Sequence, residues 1–262
     1  MNNNPIGIFD SGVGGTSIWK EINAFLPNED TIYLADSKNA PYGEKSKDEI
    51  IGLSIKNTDL LLDKGCKLIV VACNTATTNA IDYLRNNYNL PFIGIEPAIK
   101  PAALQSQSKT VGVLATKGTL SSSLFHSTSE NHANGIKIIE QVGTGLVPLI
   151  ESGKVNSQET KALLERYLEP MLDAGIDYLV LGCTHYPYLI PVLESLLPEN
   201  VKIIDSGEAV AKQTKAVLSQ NDLLTASNEK GKHQFITNAD LRILEGFLKD
   251  YSPLTKTAYQ DF

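Results

Sequence analysis

Two cysteines of this 262-residue chain stand in matching places. Cys73 closes the run Lys67-Leu68-Ile69-Val70-Val71-Ala72 and is followed by Asn74-Thr75. Cys183 closes the run Asp177-Tyr178-Leu179-Val180-Leu181-Gly182 and is followed by Thr184-His185. A thiolate accepts a proton and a thiol donates one. Two thiols facing one ligand from opposite sides would suit a reaction that takes a proton from one face and returns another to the far face. A free thiol ionises only near pH ~8.5, so each needs partners. His185 is placed to lean on the Cys183 site, and Asp10 could play the same part for Cys73. The rival reading is a buried, inert cysteine, the usual fate of Cys beside an apolar strand. Cys66 is read that way, whereas matched contexts and hydrogen-bonding neighbours favour function for the other two. His185 taken alone could equally cap or pack.

Other segments carry weaker signals. In Asp10-Ser11-Gly12-Val13-Gly14-Gly15 the glycines allow close backbone approach, and the following helix offers free amides. A small-anion site is the favoured reading. A dinucleotide fingerprint is the rival, since Gly12-Val13-Gly14 fits its first half and Asp36 ends the next strand as a ribose-binding acid would. Ser17 stands where its last glycine belongs, and Gly15 is out of pattern. A purely structural turn is the third reading. Pro41-Tyr42-Gly43 forms a turn that would expose amides and a phenol, with a plain turn as the default. Glu151, in Val147-Pro148-Leu149-Ile150-Glu151, reads by itself as a solvated carboxylate at a helix end.

These residues need a frame to hold them. Apolar runs alternate with amphipathic segments: strands at Ile6–Phe9, Thr31–Ala35, Leu68–Ala72, Pro91–Ile95, Thr110–Ala115, Gly135–Ile139, Tyr178–Leu181 and Val201–Ile204. Helices are expected from about Thr16, from Ser46-Lys47-Asp48-Glu49 (capping-box spacing) to Gly65, around Glu159 to Ala174, and from about Glu208. Alternation of this kind indicates an α/β fold with parallel sheets and crossover helices. Both cysteines fall at carboxyl ends of strands, where open α/β sheets bind ligands. Asp10 precedes Cys73 by nearly the interval that separates Thr116 from Cys183, which suggests two related α/β domains. The prolines of Glu96-Pro97-Ala98-Ile99-Lys100-Pro101 mark one crossing, and Asp205-Ser206-Gly207 marks a second. The expected lobes are residues 1–97 plus 208–262 and residues 98–207. The polar stretch Ser219–Lys232 reads as a surface loop.

Composition narrows the function classes. Apolar residues make up 42% and charged residues 20%, an ordinary globular balance. A net charge of −7 argues against a nucleic-acid binder. No run approaches the ~20 apolar residues of a membrane span, and the first residues carry no basic or apolar leader. Three sparse cysteines point to reduced thiols and a cytoplasmic setting, and without a C-x-x-C pair no metal site is expected.

The motifs together resemble the glutamate racemases of the aspartate/glutamate racemase family. The matching segments are Ile8-Phe9-Asp10-Ser11-Gly12-Val13-Gly14-Gly15, Ala35-Asp36-Ser37 with Pro41-Tyr42-Gly43, Ala72-Cys73-Asn74-Thr75-Ala76, Val113-Leu114-Ala115-Thr116 with Gly118-Thr119, Leu181-Gly182-Cys183-Thr184-His185-Tyr186-Pro187, and Ile204-Asp205-Ser206-Gly207. The resemblance implies two similar α/β domains with mainly parallel sheets and the active site in the cleft between them. It implies interconversion of L- and D-glutamate for peptidoglycan, without a cofactor. Cys73 and Cys183 would be the acid/base pair, Cys73 working on D-glutamate and Cys183 on L-glutamate. Asp10 and His185 would assist them, with Glu151 near the Cys183 side. Asp10, Ser11, Tyr42, Gly43, Asn74, Thr75, Thr116, Thr184 and His185 would hold the substrate. The only partner expected is that small molecule, with no nucleic acid and no membrane, and a homodimer is in keeping with the family. Sulfurs flanking one carbon would stand roughly 7 Å apart. An aspartate racemase is the nearest alternative, and an NAD-binding oxidoreductase is the alternative from another class.

Overall fold

A computed structural model describes residues 3–132, 135–251 and 253–262. Its ten strands are β1 (Ile6–Asp10), β2 (Thr31–Ala35), β3 (Leu68–Val71), β4 (Phe92–Gly94), β5 (Thr110–Ala115), β6 (Lys137–Val142), β7 (Tyr178–Gly182), β8 (Lys202–Ile204), β9 (His233–Thr237) and β10 (Thr255–Tyr259). They form two sheets, ordered β10-β9-β2-β1-β3-β4 and β6-β5-β7-β8. Every pairing in both is parallel. The segment β2-β1-β3-β4 repeats in order as β6-β5-β7-β8, so β3 and β7 hold equivalent central places.

Burial explains why these runs became strands. β1, β2, β3, β5 and β7 are buried along their whole length. Parallel strands covered by helices on both faces read as continuous apolar runs rather than alternations. On one face of the first sheet, Ile18, Trp19 and Ile22 of helix Thr16–Phe25 pack with Val210, Leu218 and Leu244. On the other, Ile50, Leu61, Ile81 and Leu84 meet Phe9, Ile69 and Val71. The second sheet is covered in the same way, by Leu164, Leu168 and Met171 on one side and Ile99, Ala102 and Phe125 on the other. At the amino ends of the first sheet, Lys67 and Glu29 form a buried ion pair at 2.6 Å.

Most expected elements are present with shifted ends. Helix Lys47–Asp63 opens with a complete capping box between Ser46 and Glu49. Helices Gln158–Asp173 and Gly207–Gln220 lie where amphipathic spacing placed them. The stretch Ser219–Lys232 begins inside a helix rather than wholly in a loop. β9, helix Leu241–Leu248 and β10 lie beyond the last strand expected from sequence. β10 is an edge strand with alternating polar residues and no apolar run to announce it. Both late strands join the first sheet, β9 beside β2 and β10 beside β9. Among the described residues no helix is long and apolar enough to cross a membrane.

Candidate active site

The carboxyl ends of the two sheets face each other, and a small, tightly closed cavity lies between them. Ser11, Tyr42, Gly43, Cys73, Asn74 and Thr75 line it from the first sheet's side, and Thr116, Cys183, Thr184 and His185 from the other. Pro41 and Val147 complete the wall, and composition singles out neither. Of the residues the sequence marked, Asp10 and Glu151 stand one layer back, each touching the lining.

Cys73 follows β3 directly and caps the helix Asn74–Asn87, whose first turn aims the Ala76 amide at its sulfur, 3.4 Å away. A helix amino terminus favours negative charge, so this position suits a thiolate. The thiol in turn donates to Ser11 Oγ at 3.6 Å. Burial first, then the charge of Asp10, push the Cys73 thiol upward, so it rests protonated until a ligand changes its surroundings. Ser11 therefore supplies the hydrogen bond at Cys73, and Asp10 acts on it through its charge. Asp10 Oδ2 accepts from the amides of Gly12 and Gly15 at 3.2 and 2.9 Å, and Oδ1 from Thr184 Oγ1 at 3.2 Å. Burial raises this carboxyl, against the opposing pull of His185.

The Cys183 side is built as a chain. Cys183 Sγ lies 3.7 Å from His185 Nδ1, and His185 Nε2 lies 2.6 Å from Glu151 Oε1. Glu151 is the last residue of helix Leu146–Glu151, and its side chain is mostly covered, 14% exposed, rather than freely solvated. Its Oε1 also accepts from the Val13 amide at 2.7 Å, and its Oε2 from Ser37 Oγ at 2.9 Å. Burial opposes charge on both partners. Hydrogen bonds to Cys183 Sγ and to Glu151, with the negative charge each carries when ionised, outweigh it at His185 and lift the imidazole well above its usual range. The imidazole, the Val13 amide and Ser37 outweigh it at Glu151 and hold the carboxyl low. Both shifts favour an imidazolium facing a carboxylate.

The loop Asp10–Gly15 differs from the small-anion site expected of it. Its amides hold the protein's own carboxylates, Asp10 and Glu151. Two of its glycines are required by close approach. A Cβ at Gly12 would strike the Glu151 carboxylate, and one at Gly14 would strike the His185 ring. Asp36, the ribose-binding acid of the dinucleotide reading, is fully buried and accepts from Tyr42 Oη at 2.5 Å and from Asn39 Nδ2 at 2.7 Å. Tyr42 is thus not an exposed phenol but a buried side chain pinned against the cavity.

Asn74 is 2% exposed, and both polar atoms of its side chain lack a hydrogen-bond partner among the described residues. A buried amide is seldom left so, unless a ligand satisfies it. Thr75 and Thr116 join across the cavity at 2.8 Å. Sequence reasoning gave no role to Ser37 or to the Val13 amide. Ser37 does follow Asp36 in one of the matched segments, but a serine after a strand carries no signal of its distant partner.

The chain as a whole is similar to known proteins. Residues 6–214 match the Asp/Glu/hydantoin racemase family. A glutamate racemase of Herpetosiphon aurantiacus is 45% identical over 240 residues, covering 92% of this chain and 94% of its own. The crystal structure of glutamate racemase isoform RacE1 from Bacillus anthracis is similar with a TM-score of 0.88 at 28% identity, covering 100% of this chain and 99% of that one. The Escherichia coli glutamate racemase, in complex with L-glutamate and activator UDP-MurNAc-ala, is similar with a TM-score of 0.86 at 34% identity, over 98% and 97% of the two chains.

Proposed function

The chain belongs to the Asp/Glu/hydantoin racemase family and is an isomerase that racemises glutamate, and on that premise we propose that it does so by two-base proton transfer between Cys73 and Cys183. One observation carries the reading: two free thiols from different sheets line one small cavity. In this scheme glutamate lies between them. Cys73, as thiolate, removes the α-proton of D-glutamate while the Cys183 thiol delivers a proton to the far face. L-Glutamate uses the same atoms in reverse. After one turnover Cys73 holds a proton and Cys183 has lost one, so the protein is ready for the opposite enantiomer. Exchange of both thiols with solvent resets it.

The surroundings fit these tasks. The Ala76 amide and the helix it opens stabilise negative sulfur at Cys73. The His185 imidazolium does the same at Cys183, held in place by Glu151. The unpaired Asn74 amide, with Ser11, Thr75, Thr116 and Thr184, offers donors to the substrate carboxylates and to charge developing at the α-carbon. Asp10 lies behind them, its charge adding to burial in keeping the Cys73 thiol protonated. Tyr42 and Gly43 shape the wall. Supply of D-glutamate for peptidoglycan is the role that suits this activity, and the lobes 1–97 plus 208–262 and 98–207 are the bodies that close on the substrate.

In heavy water the wild-type protein should place deuterium at the α-carbon of either glutamate enantiomer. Cys73→Ala and Cys183→Ala should each lower racemisation by about 10³-fold or more, while Cys66→Ala leaves it unchanged. Full turnover in either single active-site variant would refute the two-thiol scheme. Aspartate, shorter by one methylene, should react more slowly, and equal rates would move the assignment to the aspartate alternative.

A further inference from the structure

We propose that Ser37 is a positioning residue for the acid/base chain of Cys183, seating the Glu151 carboxylate against His185 from across the cleft. This rests on the two-thiol reading above. Glu151 and His185 belong to the second sheet's side, whereas both of the other donors to Glu151 come from the first. The Val13 amide reaches Oε1, already shared with His185, and the Ser37 hydroxyl is the donor to Oε2. A carboxylate held at one oxygen alone can rotate about its terminal bond. Held at both, it presents Oε1 to the imidazole in one orientation. The contact also couples shape to chemistry. With the lobes parted, Ser37 and Val13 leave Glu151, and His185 loses the fixed partner that keeps it charged beside Cys183.

The groups facing this pair are few. Asp10 and Tyr33 lie near Glu151, while Cys183, Glu151 and Asp10 lie near His185. Asp36, next to Ser37 in sequence, is turned away and held by Tyr42, Asn39 and Asn238. The remaining donor that tells Ser37→Ala from wild type is therefore the lost hydroxyl, not a displaced charge.

The test is Ser37→Ala in the full chain, with Ser37→Thr as the variant that keeps the hydroxyl. Ser37→Ala should lower kcat/KM by about tenfold, the worth of one hydrogen bond to a charged group. The fall must be equal from both enantiomers, because their equilibrium constant is one. Removing a donor from a carboxylate disfavours its charged form and raises its pKa, so the acid limb of kcat/KM against pH should move to higher pH. Ser37→Thr should restore both. A wild-type rate and profile in Ser37→Ala overturns the assignment, as does a slower variant whose acid limb stays in place. Absence of deuterium uptake by the wild-type protein would instead overturn the racemase reading itself.

Discussion

At the scale of single residues, the three cysteines separate by surroundings rather than by burial, since all three are buried. Burial pushes the Cys66 thiol up to about 12, against the opposing charge of Lys64. Cys73 and Cys183 lie equally deep but touch an amide, a hydroxyl or an imidazole. His185 is the residue whose charge state decides most. Its raised pKa means that its contribution to stability is full below about pH 6.5 and is lost as pH climbs through the raised value. Glu151 is lowered, so its contribution is present above the ordinary carboxyl range and is lost as pH falls through the lowered value. Between those limits both charges stand. Nitrogen NMR of the imidazole at pH 7.5 should show both ring nitrogens protonated, and Glu151→Gln should bring the His185 titration down toward its ordinary value. A neutral ring in the wild-type protein at that pH would contradict the ion pair.

At the scale of elements, the turn after β1 and the helix after β3 do the positioning. The turn is held from inside by Asp10 and from behind by Tyr33, whose phenol donates to the Gly12 carbonyl at 2.7 Å. It therefore presents a rigid surface with no side chain at positions 12 and 14. Gly14→Ala would press a methyl group into the His185 ring. Displacements of about 1 Å in a catalytic group can cost about 10²-fold in rate. We expect a loss of that order, with circular dichroism unchanged, because the backbone at Gly14 does not need a positive φ. Activity within twofold of wild type would show that the imidazole has room to shift. The capped helix Asn74–Asn87 works in the opposite sense, delivering Asn74, Thr75 and the sulfur of Cys73 from one turn.

At the scale of the whole molecule, the site exists only because two parallel sheets meet end to end. Contacts between them include polar ones, beside the packing of Phe247 on Tyr188: Ser17 Oγ donates to the Thr184 carbonyl at 2.9 Å, Thr16 meets Tyr188 at 2.5 Å, and Asn79 Nδ2 donates to the Gly118 carbonyl at 3.2 Å. Polar contacts exchange with water at low net cost, which suits the closure of the lobes proposed above. The two chain crossings are joined as well, since Ser206 Oγ donates to the Glu96 carbonyl. Ser206→Ala should loosen this hinge. We expect kcat and KM to change together by a few-fold, with unfolding free energy within about 1.5 kcal/mol of wild type. A large loss of stability with unaltered kinetics would make the bond purely structural. Much of this was legible in the chain. Apolar runs and a capping box announced eight strands and the main helices, and thiols at two run ends announced two side chains of one cavity, because burial and strand ends are local properties written in neighbouring residues. β9, β10, the buried state of Tyr42 and Asp36, and the seat of Glu151 were not legible. An edge strand of alternating polarity has no local signature, and a carboxylate's partners 34 and 138 residues away are chosen by packing. The sequence alone determined which atoms could carry a proton. Only the tertiary structure decided that the glycine loop serves the protein's own carboxylates, because an amide binds whichever anion the folded chain brings within reach.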